Sequence, residues 1–117
     1  MKGRPLRQRL GFAWEGLRWA FRRERSLRLQ ALALALALGL LLLLRPAPLW
    51  WALVGAMAAW VVAAELFNSA LEELADHLHP ERHPRIKRVK DCAAAAVLVL
   101  ALGAVWVGLL LLLAAGG

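Results

Sequence analysis

The sequence has little of the chemistry on which many soluble proteins depend. Its 117 residues include one cysteine, Cys92, so an intrachain disulfide is excluded. Acidic residues are scarce, eight against fifteen basic ones, and the formal net charge is +7. Because the basic residues flank apolar segments, anionic lipid headgroups are favoured over nucleic acid as partners. A glycine-rich loop of the Walker type is absent, and no internal repeat indicates a transporter built from inverted halves.

Long apolar runs are what the sequence has instead, since hydrophobic residues make up 62% of it. Three runs are each long enough to cross a bilayer: residues 27–44, 49–71 and 92–115. Two prolines interrupt the helix in the short segment 45–48, so the second run is expected to return antiparallel to the first. Residues 77–90 are predicted to form a polar loop that leads into the third run. We therefore predict an all-α integral membrane protein with three transmembrane helices and a single domain, residues 1–117.

Residues 1–26 have a different pattern. From Leu6 to Phe21, large apolar side chains recur every three or four residues, while the arginines fall mostly on the other side of the helix. This pattern is typical of an amphipathic helix that lies in the membrane interface, and a soluble helix packed on a partner is the alternative. Neither end of the chain has the pattern of a cleavable targeting segment, so the first span is expected to remain in the mature protein.

Lysine and arginine residues are distributed unevenly around the apolar runs. Nine precede or begin the first run, one lies in the turn at Arg45, and five lie between residues 77 and 90. By the positive-inside rule, the amino terminus and the second loop face the cytoplasm. We expect a multi-pass protein of the cell inner, cytoplasmic, membrane whose polar residues gather at the cytoplasmic face.

The end of the second run carries a polar stripe, formed by Glu65, Asn68, Glu72 and Asp76. At about 100° per residue, Glu72 and Asp76 lie within about 20° of Glu65 on a helical wheel, and Asn68 lies about 60° away. Glu73 lies about 80° from Glu65, so it is predicted to face a headgroup or an arginine. A carboxylate well inside a spanning helix costs roughly 2.5–3.5 kcal/mol and marks a functional site. A solvated helix end would explain the later residues, but not the deeper Glu65 and Asn68.

Clustered carboxylates beside an amide supply the hard oxygen ligands that Mg²⁺ prefers. Glu24, at the end of the amphipathic segment, and Glu72 form a candidate metal-binding pair. Lys90 and the neighbouring arginines would counter phosphate charge, and the deeper Glu65 would accept a proton from an alcohol in the bilayer. This pattern indicates a kinase for a membrane-embedded alcohol. The alternative is a small oligomeric channel, transporter or interaction protein whose acidic stripe binds cations.

Several segments resemble the motifs of one known family. Residues 65–72, with the sequence Glu-Leu-Phe-Asn-Ser-Ala-Leu-Glu, followed by Asp76 and by Val-Lys-Asp at 89–91, resemble the prokaryotic diacylglycerol kinase family, which includes undecaprenol kinases. The similarity extends upstream to residues 14–18 and Glu24, so it covers nearly the whole chain. The resemblance implies a three-span inner-membrane enzyme with an amino-terminal surface helix. It also implies a homotrimer that uses Mg²⁺ and ATP to phosphorylate a lipid alcohol.

The resemblance also implies roles for particular residues. Glu65 matches the catalytic base, and Glu24 and Glu72 match the residues that hold the metal accompanying the nucleotide. Seven positions match residues at the nucleotide site: Asn68, Asp76, Glu81, Arg82, His83, Lys90 and Asp91. Two positions depart from the family pattern, because Phe12 replaces a tyrosine that often contacts the nucleotide, and Gln30 stands where some members have an acidic or histidine side chain.

Overall fold

The computed structural model describes residues 3–116, which form four α-helices and no strand. In chain order the helices are α1 (Leu6–Arg23), α2 (Arg25–Leu44), α3 (Pro48–Leu78) and α4 (Pro84–Gly116). The last three are each long and apolar enough to cross a membrane, which confirms the predicted all-α integral membrane fold. The predicted surface helix and domain also include Met1, Lys2 and Gly117, which lie outside the described residues.

A single residue, Glu24, separates α1 from α2. Its backbone is extended, with φ −98° and ψ 113°. Arg28 closes this break, because its guanidinium donates hydrogen bonds to the carbonyl oxygens of Phe21, at 2.9 Å, and Arg22, at 2.8 Å. Carbonyls at the end of a helix lack intrahelical partners, so this side chain stabilises the end of α1. The break comes earlier than predicted, and Ser26 therefore belongs to α2 rather than to the surface helix.

The turn between α2 and α3 reverses the chain within three residues. Arg45 adopts the left-handed conformation, with φ 47° and ψ 57°, and its N–H bonds to the Leu41 carbonyl at 2.8 Å. Pro48 then occupies the first turn of α3, where a missing N–H leaves no helical hydrogen bond unmade. The predicted antiparallel return of the second span results from this turn.

Both α3 and α4 extend beyond their apolar runs at the other end of the bundle. With 31 and 33 residues, they are about 46 Å and 50 Å long, whereas the hydrocarbon core of a bilayer is about 30 Å thick. Most of the segment predicted as a polar loop is therefore helical, and only residues 79–83 connect the two helices. These helical extensions carry Lys90 and the outer part of the polar stripe, Glu72 and Asp76.

Helices α3 and α4 make the most extensive contact in the fold, whereas α2 packs on α3 over a smaller area and α1 contacts both α2 and α3. A Cβ atom built on Gly103 of α4 would lie only 3.0 Å from Cε of Met57 on α3. The absence of a side chain at Gly103 therefore leaves room for the end of the Met57 side chain against α4.

Most large apolar side chains point away from the protein. Among residues 3–116, the buried apolar side chains are those of Ala20, Leu27, Leu41, Val61, Ala75 and Leu111. Leu43 and Leu113, by contrast, are 80% and 72% exposed. In water this surface would be costly, but lipid tails are as apolar as leucine, so it suits a bundle surrounded by lipid or by further helices.

Candidate functional site

The polar residues meet at one end of the bundle, where α1 ends, α2 begins, α3 ends and α4 begins. One side-chain contact joins α1 to α3, and another joins α4 to α3. Arg23 of α1 donates a hydrogen bond to Glu73 of α3, and Lys90 of α4 contacts Asp76 of α3 at 2.5 Å. The turn at Arg45 lies at the opposite end of α2, so the basic residues of 22–28 and 82–90 lie at the end that carries the site.

Glu65 lies in the interior of this end and is only 3% exposed. Each of its carboxylate oxygens accepts a hydrogen bond from α2. The Ser26 hydroxyl donates to Oε2 at 3.1 Å, and the Gln30 amide donates to Oε1 at 3.0 Å. Within residues 3–116, its partners are neutral groups, and it makes no ion pair with lysine or arginine. A buried carboxylate held in this way is suited to accept a proton from a bound alcohol.

Sequence reasoning missed Ser26 and assigned no contact to Gln30. The two residues are four positions apart, so they share one face of α2. This spacing is the signal that could have found them, but only with the knowledge that α2 begins before Ser26.

Asn68 and Glu72 lie about one and two turns further along α3 than Glu65. The Asn68 amide nitrogen contacts Glu72 Oε1 at 3.5 Å, a long hydrogen bond. In the part of the chain that the structure describes, two buried polar atoms have no partner, Asn68 Oδ1 and Ser69 Oγ. Because such atoms are rare in native proteins, they indicate that water, an ion or a ligand completes this region.

Contacts of Arg23 bring the end of α1 to the polar part of α3. Its Nε lies 3.8 Å from Glu24 Oε1, and its Nη1 donates to Glu73, the neighbour of Glu72. The hydrogen bond to Glu73 raises the pKa of Arg23 above its usual value. Glu73 therefore contacts an arginine, as its position on the helical wheel predicted. Because Arg23 contacts Glu73, the extended residue between α1 and α2, Glu24, lies beside the turn of α3 that carries Glu72.

The donor atoms in this region suit a hard cation. Glu24 and Glu72 are partly buried carboxylates, and Asn68 adds an amide oxygen without a partner. Oxygen donors of these kinds are the ligands that Mg²⁺ prefers. Residues 3–116 contain no group of three or more His, Cys, Asp or Glu side chains arranged to hold a metal. A magnesium site built here would accordingly depend on phosphate oxygens and water for its remaining ligands, which is usual for this ion.

A cleft of about 600 Å³ lies at the connection between α3 and α4, a volume within the range of small-molecule sites. Five residues predicted to bind the nucleotide line this loop cleft: Glu81, Arg82, His83, Lys90 and Asp91. Asp76 joins them through its contact with Lys90. Asn68 lies eight residues before Asp76 on α3, about 12 Å along the axis, and belongs instead with Glu72. The structure thus brings together six of the seven predicted residues.

Histidine side chains hold the backbone of the loop cleft. His79 Nδ1 lies 2.9 Å from the Glu81 carbonyl oxygen, and the rings of His79 and His83 meet edge to face with centroids 5.3 Å apart. His83 Nδ1 accepts the backbone N–H of Arg85 at 3.1 Å, which caps the start of α4. Arg82, from the loop, and Lys90, from α4, line the same cleft.

Comparison with known proteins identifies relatives over most of the chain. Residues 11–112 match the sequence profile of the family described as prokaryotic diacylglycerol kinase. A diacylglycerol kinase of Synechocystis sp. is 35% identical over 103 residues, which are 87% of this chain and 59% of that protein. The diacylglycerol kinase of Escherichia coli K12 is 32% identical over 95 residues, 81% of this chain and 78% of the relative.

A second activity is represented among the relatives. The undecaprenol kinase of Bacillus subtilis is 35% identical over 63 residues, which are 54% of this chain and 51% of that protein. The matched segments therefore span little more than half the length of the Synechocystis and Bacillus relatives, and more than three quarters of the Escherichia coli one.

Proposed function

Because the chain belongs to the prokaryotic diacylglycerol kinase family, we propose that it transfers the γ-phosphoryl group of ATP to the hydroxyl group of a lipid in the membrane. The relatives are named diacylglycerol kinase and undecaprenol kinase, so the product would be phosphatidic acid or undecaprenyl phosphate. One structural observation supports the proposal most directly. A buried carboxylate, Glu65, lies on the same helix as Asp76, and Asp76 contacts Lys90 of the basic cleft at the end of the bundle.

Glu65 is proposed as the catalytic base. Its carboxylate accepts the proton of the lipid hydroxyl while the hydroxyl oxygen forms a bond to the γ-phosphorus. The bond between that phosphorus and the β,γ-bridging oxygen breaks, and ADP leaves with the bond's electron pair. Phosphoryl transfer depends mainly on position and charge neutralisation, so few groups are needed beyond this base and the cations.

The loop cleft is proposed as the nucleotide site. Arg82 and Lys90 line it and would neutralise phosphate charge, and Asp76 orients the Lys90 ammonium through their contact. Four further residues are proposed to line the nucleotide: Asn68, Glu81, His83 and Asp91. Asn68 lies nearest to Glu65 among the proposed nucleotide-site residues, and its unpartnered oxygen would face the cation that accompanies the phosphates.

Glu24 and Glu72 are proposed as the ligands of Mg²⁺. The ion, when bound, would supply positive charge to the phosphate oxygens. Glu24 can contribute to this site because the helix breaks at this residue, and α1 therefore ends beside the turn of α3 that carries Glu72. The unpartnered Asn68 oxygen is a third possible donor to the same site.

A homotrimer in the cytoplasmic membrane is proposed as the working assembly. Three spanning helices with so few buried side chains cannot enclose a lipid and a nucleotide alone, and much apolar surface is available for contact between copies. By the positive-inside rule, the basic residues at the site end favour a cytoplasmic location for this end and for the amino terminus, on the side where ATP is available. Native mass measurement in detergent tests the trimer, and a monomer with full activity would contradict it.

The activity is tested by transfer of labelled phosphate from ATP to diacylglycerol and to undecaprenol, measured side by side in bilayers. Transfer to either lipid supports the proposal and identifies the substrate. The absence of transfer to any long-chain alcohol would refute it. Ion flux that requires neither lipid substrate nor ATP would favour a channel instead.

A further inference from the structure

The Glu65 carboxylate is held from a neighbouring helix and not from its own. Ser26 and Gln30 of α2 each donate to a different oxygen, at 3.1 Å and 3.0 Å. We propose that Ser26 and Gln30 are positioning residues, which fix the orientation of the Glu65 carboxylate for proton transfer from the lipid hydroxyl. This inference rests on the proposed function of Glu65 as the base.

Two donors are needed because of the flexibility of a glutamate side chain. Its terminal torsion has a broad energy profile, so a single hydrogen bond leaves the carboxylate free to turn about that bond. One donor on each oxygen defines the carboxylate plane. Glu65 is 3% exposed, so water scarcely competes for either oxygen. The position of the base therefore depends on how α2 packs against α3.

The neutral character of both donors matters for the reaction. An arginine or lysine at either position would also hold the carboxylate, but its full charge would oppose transfer of a proton to the pair. A hydroxyl and an amide orient the oxygens without that opposing charge. They are thus compatible with a carboxylate that gains a proton in each turnover.

Gln30 also lines an apolar cavity of about 220 Å³ between α2, α3 and α4. Its neighbours in the cavity wall include Leu34, Val61 and Leu111. Methionine has nearly the length of glutamine and suits an apolar wall. Gln30→Met therefore removes the hydrogen-bond donor to Glu65 but still fills the same place in the cavity wall. A truncation would change the hydrogen bond and the packing together, so Gln30→Met is the better test.

The test compares Gln30→Met and Ser26→Ala with wild type in the lipid phosphorylation assay. A misplacement of about 1 Å can cost about 100-fold in rate, so we expect kcat to fall 10- to 100-fold in Gln30→Met, with a smaller fall in Ser26→Ala. The KM for ATP should change less than twofold, because the loop cleft is untouched. Ser26→Thr, which keeps the hydroxyl, should retain most of the activity lost in Ser26→Ala.

Two further variants test whether the loss of activity arises from the contacts with Glu65. Gln8→Met changes the other glutamine of the chain, exposed on α1, and should match wild type. In a Glu65→Gln background, Gln30→Met should lower the remaining turnover no further, because a positioning residue acts through the base. A further fall in that background, or wild-type kcat in both single variants, would overturn the inference. An inactive wild-type protein would instead overturn the proposed function.

Discussion

Replacing Lys90 with methionine should separate the structural role of the Lys90–Asp76 contact from its role at the phosphates. Methionine keeps the apolar part of the lysine side chain and removes the charge. The two side chains are 35% and 51% exposed, and ion pairs with this exposure contribute about 0–1 kcal/mol to stability. The rest of the α3–α4 contact is unchanged. We therefore expect the melting temperature in detergent to fall by at most about 5 °C.

The expected loss of activity in Lys90→Met is much larger. Removal of one preorganised group that stabilises developing charge typically costs about 100- to 1,000-fold in turnover. A loss of 1 kcal/mol in stability changes the folding equilibrium only about fivefold, and that change hardly alters the folded fraction of a stable protein. Steady-state phosphate transfer from ATP to the lipid, measured in the same detergent as the melting curve, compares the two effects directly.

Arg88→Met is the matched control for this experiment. Arg88 is an exposed cation of α4 that lies about 200° around the helix from Lys90. Its replacement should change activity less than twofold. The reasoning is refuted if Lys90→Met stays within about threefold of wild-type turnover, or if its activity falls only in proportion to the folded fraction.

Three other changes have outcomes that follow from the structure. Glu65→Gln should retain ATP binding, measured by equilibrium titration, while turnover falls about 100- to 10,000-fold, because it removes the base; near-wild-type turnover would remove Glu65 from that role. Gly103→Leu should press on Met57 and destabilise the α3–α4 contact by about 1–3 kcal/mol in thermal unfolding, and an unchanged midpoint would contradict the close approach. Glu24→Gln should raise the Mg²⁺ concentration needed for half-maximal activity about tenfold or more, and an unchanged requirement would show that Glu24 is not a ligand.

The sequence determined the features that depend on neighbours along the chain. Apolar runs of 18 or more residues require a bilayer, and the prolines after Arg45 end one helix and start the next. The stripe from Glu65 to Asp76 follows from helical spacing alone. The motifs around Lys90 indicated nucleotide-site residues that the structure finds in one cleft, although their roles remain proposals.

The local sequence pattern did not predict correctly where the helices begin and end. The helical extension of α4 before its apolar run carries polar residues, and Lys90 within it contacts Asp76 of α3. Such contacts join residues far apart in sequence, so composition alone predicted a loop. The single extended residue at Glu24 was missed for a similar reason, because the cap that closes it comes from Arg28 in the next helix.

Only the tertiary structure decided what surrounds the buried carboxylate. Ser26 and Gln30 precede Glu65 by 39 and 35 residues, and no spacing in the sequence relates a serine and a glutamine at these distances to a glutamate. The hydrogen bonds from these two side chains to Glu65 depend on where α2 begins and how it packs on α3. The sequence thus determined that a carboxylate lies in the membrane helix, because helical spacing is local. Its partners were decided by the packing of two helices, because hydrogen bonds between helices depend on distances in space.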